Sequence, residues 1–302
     1  MKHFIADTQL SKSELEQLIK LAIDIKQNTS NYNQVLKGKS IVTLFEKPSL
    51  RTHVSLDIGI AKLGGHSLYI GQQNGQLGKR ERVKDVAKNL ACWADAIVAR
   101  VFDHQVLQEM AEHASIPVVN ALCDKYHPCQ ALADFQCLTE TFGSVENLNL
   151  AYVGDGNNVS NSLMLMGSIL GANVTIVTPP GHGPSQEFIE QADKLATQSG
   201  AKFKVCHDIN DIGEQQAIYT DTWVSMGDDT KVEDILNIFM PFQVNESLMA
   251  KTGASAVMHC QPAHLEQEIT TSLFDSNQSL AFVQAENRMW AQNAVLVTLL
   301  QD

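Results

Sequence analysis

The side chains that could do chemistry lie in short polar stretches that interrupt apolar runs. They are Ser49, Leu50, Arg51 and Thr52 in FEKPSLRT, Arg100 after AIVA, and HPCQ from His127 to Gln130. Further along come GDGNN from Gly154 to Asn158, DTWVSMG from Asp221 to Gly227, and HCQP from His259 to Pro262. The first is a joint between a strand-like run ending at Phe45 and a helical pattern resuming near Val54, with no glycine in it. Hydroxyls, an arginine and unpaired backbone N–H groups at a helix N-terminus suit a dianionic phosphate, because the amides and helix dipole attract the charge while a guanidinium binds two oxygens at once. The plainer reading is that Ser49 only caps the helix and Arg51 is a solvated charge. Arg100, ending a second strand-like run, favours the anion site.

The elements that must position these residues alternate between two periods. Apolar or β-branched runs occur at 40–46, 66–71, 96–101, 117–122, 148–154, 173–179, 202–207, 217–223 and 255–262, with amphipathic helical stretches between them. Ser11 and Glu14 form a capping box ahead of the stripe Leu15, Leu18, Ile19 and Ala22. Strands separated by helices imply parallel sheets covered on both faces. The fold class expected is α/β, with two doubly wound parallel-sheet domains. TFGSVENLN, at 141–149, marks the break. The expected domains are 1–142, with a C-terminal helix at 287–302 packing back on it, and 143–286. Ligands of such sheets bind beyond the carboxyl ends of the strands. Two polar sets of strand ends therefore imply an active site in the cleft between the domains.

Composition excludes several classes. The 302 residues carry 22 Lys+Arg against 34 Asp+Glu, a net charge of −12, which argues against nucleic-acid or anionic-membrane partners. No apolar run approaches the roughly 18 residues of a bilayer span, and the first residues do not read as a secretory signal. The six cysteines lack a disulfide-framework spacing, so a reduced, cytoplasmic protein is expected. CDKYHPC, from Cys123 to Cys129, has no second ligand pair of zinc-type spacing, and no metal or cofactor is expected. GDGNNV places Val159 at the third position of the dinucleotide fingerprint, and the following run ends in Thr178 and Pro179 without an acid for a ribose. A tight turn with Asp155 and Asn157 bonded to local backbone is the better reading.

KPSLRT, HPCQALAD, GDGNN, DTWVSMG, HCQP and QAENRM, in this order over almost the whole chain, resemble the ornithine carbamoyltransferases. The phosphate loop and the HPxQ segment identify the transcarbamylase superfamily, whereas DTWVSMG and the cysteine of HCQP resemble its ornithine-using branch. The resemblance implies carbamoyl-phosphate binding by Ser49, Leu50, Arg51, Thr52, Arg100, His127, Gln130 and Arg288, and by the backbone of Cys260 and Gln261. It places Gln76 on a loop that reaches a neighbouring subunit's site. Asn158, Asp221, Ser225 and Met226 match ornithine-binding positions. The implied assembly is a homotrimer or a multiple of one, acting in arginine metabolism. Leu50, His53, Arg82 and Gln261 depart from the family's usual residues, and none of these changes removes an expected ligand.

The implied reaction accounts for these residue types. An amine attacks the carbonyl carbon of carbamoyl phosphate, negative charge develops on oxygen and phosphate leaves, so donors aimed at that oxygen are the main requirement. Thr52, Arg100 and His127 supply them. An alkylammonium with a pKa near 10.4 is roughly 99.9% protonated at pH 7, and reaction through the neutral fraction alone would cost roughly 4 to 5 kcal/mol. Asp221 and Cys260 are the candidates to handle that amine, with Cys260 as a thiolate. The bland alternative makes Cys260 a small buried residue. His259 is expected to pack, since alternate strand residues face opposite ways, and His53, His66 and His264 have no evident partner. Two other readings stand beside ornithine transfer: a sister transcarbamylase using an acylated ornithine or putrescine, and a non-catalytic phosphometabolite-binding protein of the same fold.

Overall fold

A computed structural model describes residues 1–71, 77–79, 81–223 and 232–301. The chain divides into two compact units, Met1–Gln136 with Glu286–Asp302, and Cys137–Ala285. The first opens with α1 (Lys12–Gln27), whose capping box has Ser11 accepting from Glu14 N while the Glu14 carboxylate takes Ser11 N. There follow β1 (Ser40–Phe45), α2 (Leu50–Lys62), β2 (His66–Ile70), α3 (Val83–Ala91), β3 (Ala96–Arg100), α4 (His104–His113), β4 (Val118–Leu122) and α5 (Pro128–Phe142). The helix α5 crosses the division between the units.

The second unit continues with β5 (Asn149–Val153), α6 (Asn158–Leu170), β6 (Asn173–Val177), α7 (Gln186–Ser199), β7 (Phe203–Cys206), β8 (Ala217–Thr220), α8 (Val232–Phe239), α9 (Glu246–Thr252), β9 (Ala256–His259) and α10 (Thr271–Phe274). The last helix, α11 (Ala281–Leu300), begins in the second unit and ends in the first. All nine expected strands are present within three residues of their expected ends, and the helix expected from 287 starts earlier, at Ala281.

Both sheets are wholly parallel, ordered β2-β1-β3-β4 and β7-β6-β5-β8-β9. Parallel pairing needs crossovers, and helices packed on both faces leave β3 and β8 buried at every position, which is why these strands read as unbroken apolar runs. Strand order reverses between β1 and β3 in one sheet and between β5 and β8 in the other. At such points successive crossovers leave on opposite faces and the carboxyl ends of the strands open a crevice. The polar stretches sit there. One core packs Val42, Leu44, Ile97, Ala99 and Val118 against Leu107 and Met110. The other packs Ala151, Val153, Ile218 and Val257 against Leu248 and Leu273. Helix α6 is buried from Val159 to Leu170 and stops at Gly171, whose φ of 87° suits the left-handed cap that ends a helix.

Candidate active site

In the first unit, register brings the basic groups together. Phe45 of β1 pairs with Arg100 of β3, so the joint leaving β1 begins beside the Arg100 side chain. Ser49 is the cap of α2: its hydroxyl accepts from Thr52 N at 3.4 Å and lies 2.9 Å from Thr52 Oγ1. An extended Ser49 (φ −160°) makes the turn, which explains how the joint manages without glycine. The helix then carries Thr52 inward, fully buried, while Leu50 points outward. Arg51 is half-buried and makes no ion pair among the described residues.

Thr52 is a node. Its Oγ1 accepts from Arg288 Nη2 at 2.7 Å and lies 3.5 Å from Arg100 Nη1. The other fork of Arg288 donates to Gln130 Oε1 at 2.8 Å, and Gln130 Nε2 in turn donates to Asp134 Oδ1 at 2.7 Å. His127 stands at the start of α5, its carbonyl accepting from Gln130 N and Ala131 N. Its Nε2 lies 3.1 Å from Arg288 Nη2, and since a guanidinium only donates, Nε2 accepts and the ring proton resides on Nδ1. Burial first, then Arg288 and Arg100, hold His127 well below its ordinary pKa of 6.5, so the imidazole is neutral. Burial, then Arg100, also lowers Lys47, whose ammonium lies 4.6 Å from the Phe102 ring centre. An acidic chain has thus brought Arg100 and Arg288 together on Thr52, one residue beyond Arg51 in α2, an arrangement fit to hold a small dianion.

In the second unit Thr220 pairs with His259, so Asp221 and Cys260 leave adjacent parallel strands side by side. Cys260 Sγ donates to Asp221 Oδ1 at 3.1 Å, and Asn157 Nδ2 donates to Asp221 Oδ2 at 3.2 Å. The sulfur and the carboxylate expected to handle the amine therefore sit within hydrogen-bond distance of each other. Asn157 also caps α6, its Oδ1 accepting from Val159 N and Ser160 N. Asn158 begins that helix. The neighbouring Trp223 is buried, with its ring 5.5 Å from Phe239, against which His182 packs edge-on.

Gln261 lies beside Cys260, while Gln76, Ser225 and Met226 lie outside the described residues. Sequence reasoning gave Asn157 only a local backbone role and assigned Asp134 none, although each orients an expected site residue. His264, read as partnerless, bonds Thr222 Oγ1 at 2.9 Å, and His53 stacks on Tyr69 with ring centres 3.9 Å apart. The Cys123 and Cys129 thiols are buried on Asn120, and burial pushes them up to about 11 and about 12. Ligand atoms of Asp221, His259 and Cys260 do lie within 4.8 Å of one another. Both ring nitrogens of His259 are engaged, at Gln261 N and at Glu268 Oε1, so a metal there would have to displace one of these bonds.

Two buried arginines and a neutral histidine around a capped helix start, with a thiol–carboxylate pair on a second parallel sheet, are found in a chain matching two family descriptions. Residues 2–140 match "Aspartate/ornithine carbamoyltransferase, carbamoyl-P binding domain", and residues 146–299 match the Asp/Orn binding domain of the same family. The chain belongs to the aspartate/ornithine carbamoyltransferase family. Within it, the chain is 55% identical to the ornithine carbamoyltransferase of Shewanella oneidensis over 99% of each chain. It is 54% identical to that of Moritella abyssi over the full length of both. The solved ornithine carbamoyltransferase of Pyrococcus furiosus superposes with a TM-score of 0.95 at 39% identity, covering 99% of this chain and 97% of that one.

Proposed function

We propose that this protein transfers the carbamoyl group of carbamoyl phosphate to the δ-amine of L-ornithine, giving L-citrulline and phosphate. The observation that carries the reading is the pairing of Asp221 with Cys260 at adjacent strand ends, in a chain whose other unit gathers Arg51, Arg100 and Arg288. The phosphate is held by the Ser49–Thr52 segment, Arg51 and Arg100. Charge developing on the carbonyl oxygen is met by Thr52, Arg100 and Arg288, whose donors are fixed before reaction and need no reorganisation. His127 serves first as the neutral acceptor that aims Arg288, a role adjusted from direct donation because its Nε2 faces the guanidinium. Gln130 aims the other fork.

Asp221, gripped by Asn157 and Cys260, receives the ornithine ammonium. A carboxylate that already accepts two hydrogen bonds is oriented, and the thiol beside it can relay a proton away from the attacking nitrogen. Asn158, Ser225, Met226 and the backbone of Cys260 and Gln261 complete the substrate contacts. The working assembly is a homotrimer or a multiple of trimers, with Gln76 reaching a neighbouring site, in the cytoplasm. None of the described helices is long and apolar enough to cross a membrane. Initial rates with L-ornithine, N-acetylornithine and putrescine at saturating carbamoyl phosphate test the proposal. Ornithine should give the highest kcat/KM, and a preference for either other amine would replace this reading with that of a sister transcarbamylase.

A further inference from the structure

The segment after β9 is held by a buried carboxylate that was given no role in substrate binding. Glu268 is fully buried, and its Oε1 accepts from His259 Nε2 at 3.0 Å and from His264 N at 2.6 Å. The opposite face of the His259 ring accepts from Gln261 N at 2.9 Å. That bond fixes the tautomer: Nδ1 is the acceptor, so Nε2 carries the proton and donates it to Glu268. The ring is thus a rigid spacer between the carboxylate and the Gln261 amide.

Gln261 needs such a hold. Its φ of 62° lies in the left-handed region that a residue with a Cβ rarely adopts, and this persists only where surrounding bonds over-determine it. The same carboxylate reaches the neighbouring strand end. His264, whose amide Glu268 accepts, has its Nδ1 2.9 Å from Thr222 Oγ1, and Thr222 directly follows Asp221. One anion therefore sets both halves of the thiol–carboxylate pair: Cys260 lies between His259 and Gln261, and Asp221 precedes the residue His264 touches.

We propose that Glu268 is a positioning residue that sets the Cys260–Gln261 backbone through His259 and the Asp221–Thr222 turn through His264. The proposal rests on the ornithine reading above. No proton passes through Glu268 in this scheme; His259 keeps its tautomer, and the carboxylate acts by where its oxygen is.

Three variants separate position from charge. Glu268→Gln keeps an acceptor oxygen at the same reach while removing the charge, and Glu268→Asp keeps the charge while withdrawing it by one methylene. Glu268→Ala removes both. Positioning predicts that Glu268→Gln retains kcat within about five-fold, while Glu268→Asp and Glu268→Ala fall by roughly 100-fold, the usual consequence of an ångström-scale displacement of reacting groups. The loss should come with a raised KM for ornithine, since both the Cys260–Gln261 backbone and the Asp221–Thr222 turn are displaced. Should Glu268→Ala fail to fold, the Gln and Asp pair decides alone. The opposite order, with Asp active and Gln dead, would show that Glu268 acts by its charge and overturn the proposal; equal activity in all variants would overturn it too. If the wild-type protein makes no citrulline, the ornithine reading fails. The inference is then read from the backbone amide shifts of Gln261 and Thr222, where wild-type positions in Glu268→Gln and displaced ones in Glu268→Asp support it, and no difference refutes it.

Discussion

Replacing Arg288 with methionine removes one guanidinium and leaves a side chain of similar length. Arg288 bonds Thr52 Oγ1 at 2.7 Å, Gln130 Oε1 at 2.8 Å and His127 Nε2 at 3.1 Å. These three partners are neutral. A hydrogen bond to a charged group is worth roughly 1.5 to 3 kcal/mol, and a fork on a bound anion roughly twice that. Part of this is already spent on the three protein partners that must yield to substrate. A net loss of about 3 kcal/mol corresponds to a fall of about 150-fold in kcat/KM for carbamoyl phosphate. The melting temperature should stay within a few degrees of wild type, because the desolvation penalty of the buried cation is relieved with its bonds. Citrulline initial rates, with carbamoyl phosphate varied at saturating ornithine, give the number. An unchanged kcat/KM for carbamoyl phosphate would refute the assignment of Arg288, as would an effect confined to the KM of ornithine.

Two further outcomes follow from local geometry. Gly156→Ala places a Cβ 2.3 Å from Gly183 C and Pro184 N, which are backbone atoms that cannot rotate aside. The displaced turn should pull Asn157 from Asp221, raise the KM for ornithine and destabilise the fold by roughly 1 to 3 kcal/mol in urea melts; wild-type values for both would refute it. His127, held neutral well below 6.5, binds no proton in the folded state where the unfolded chain does, so stability should fall as pH drops below 6.5. Urea melts between about pH 7.5 and 5.5 should show a shallower dependence for His127→Gln, and an equal slope would refute the argument.

The nine strands were legible because fully buried parallel strands must be apolar along their whole length, and the helices because their buried faces recur at helical spacing. The polar strand ends were legible for the complementary reason: polar residues interrupting buried strands need an occupation. Thus Thr52, Arg100, His127 and Gln130 stood out at strand ends, whereas Arg288, inside α11, was named only through the family resemblance; it meets them at the Thr52 hydroxyl although it follows Thr52 by 236 positions. Asp221 and Cys260 likewise follow paired residues. What stayed hidden was the layer behind these groups. Asn157 was read as bonding local backbone in a tight turn, and it does so as the cap of α6, but its amide nitrogen also holds Asp221, which only the β5–β8 neighbourhood creates. Glu268 looked like one more acid in an acidic chain until the fold-back after His259 buried it.

The central claim is that one group of side chains holds a phosphoryl donor and another delivers a primary amine to its carbonyl carbon. Its most direct test mixes the purified protein with carbamoyl phosphate and L-ornithine and follows citrulline and inorganic phosphate in the same samples. Equal amounts of the two products, both dependent on ornithine, are predicted. Phosphate without citrulline, or neither product, would contradict it.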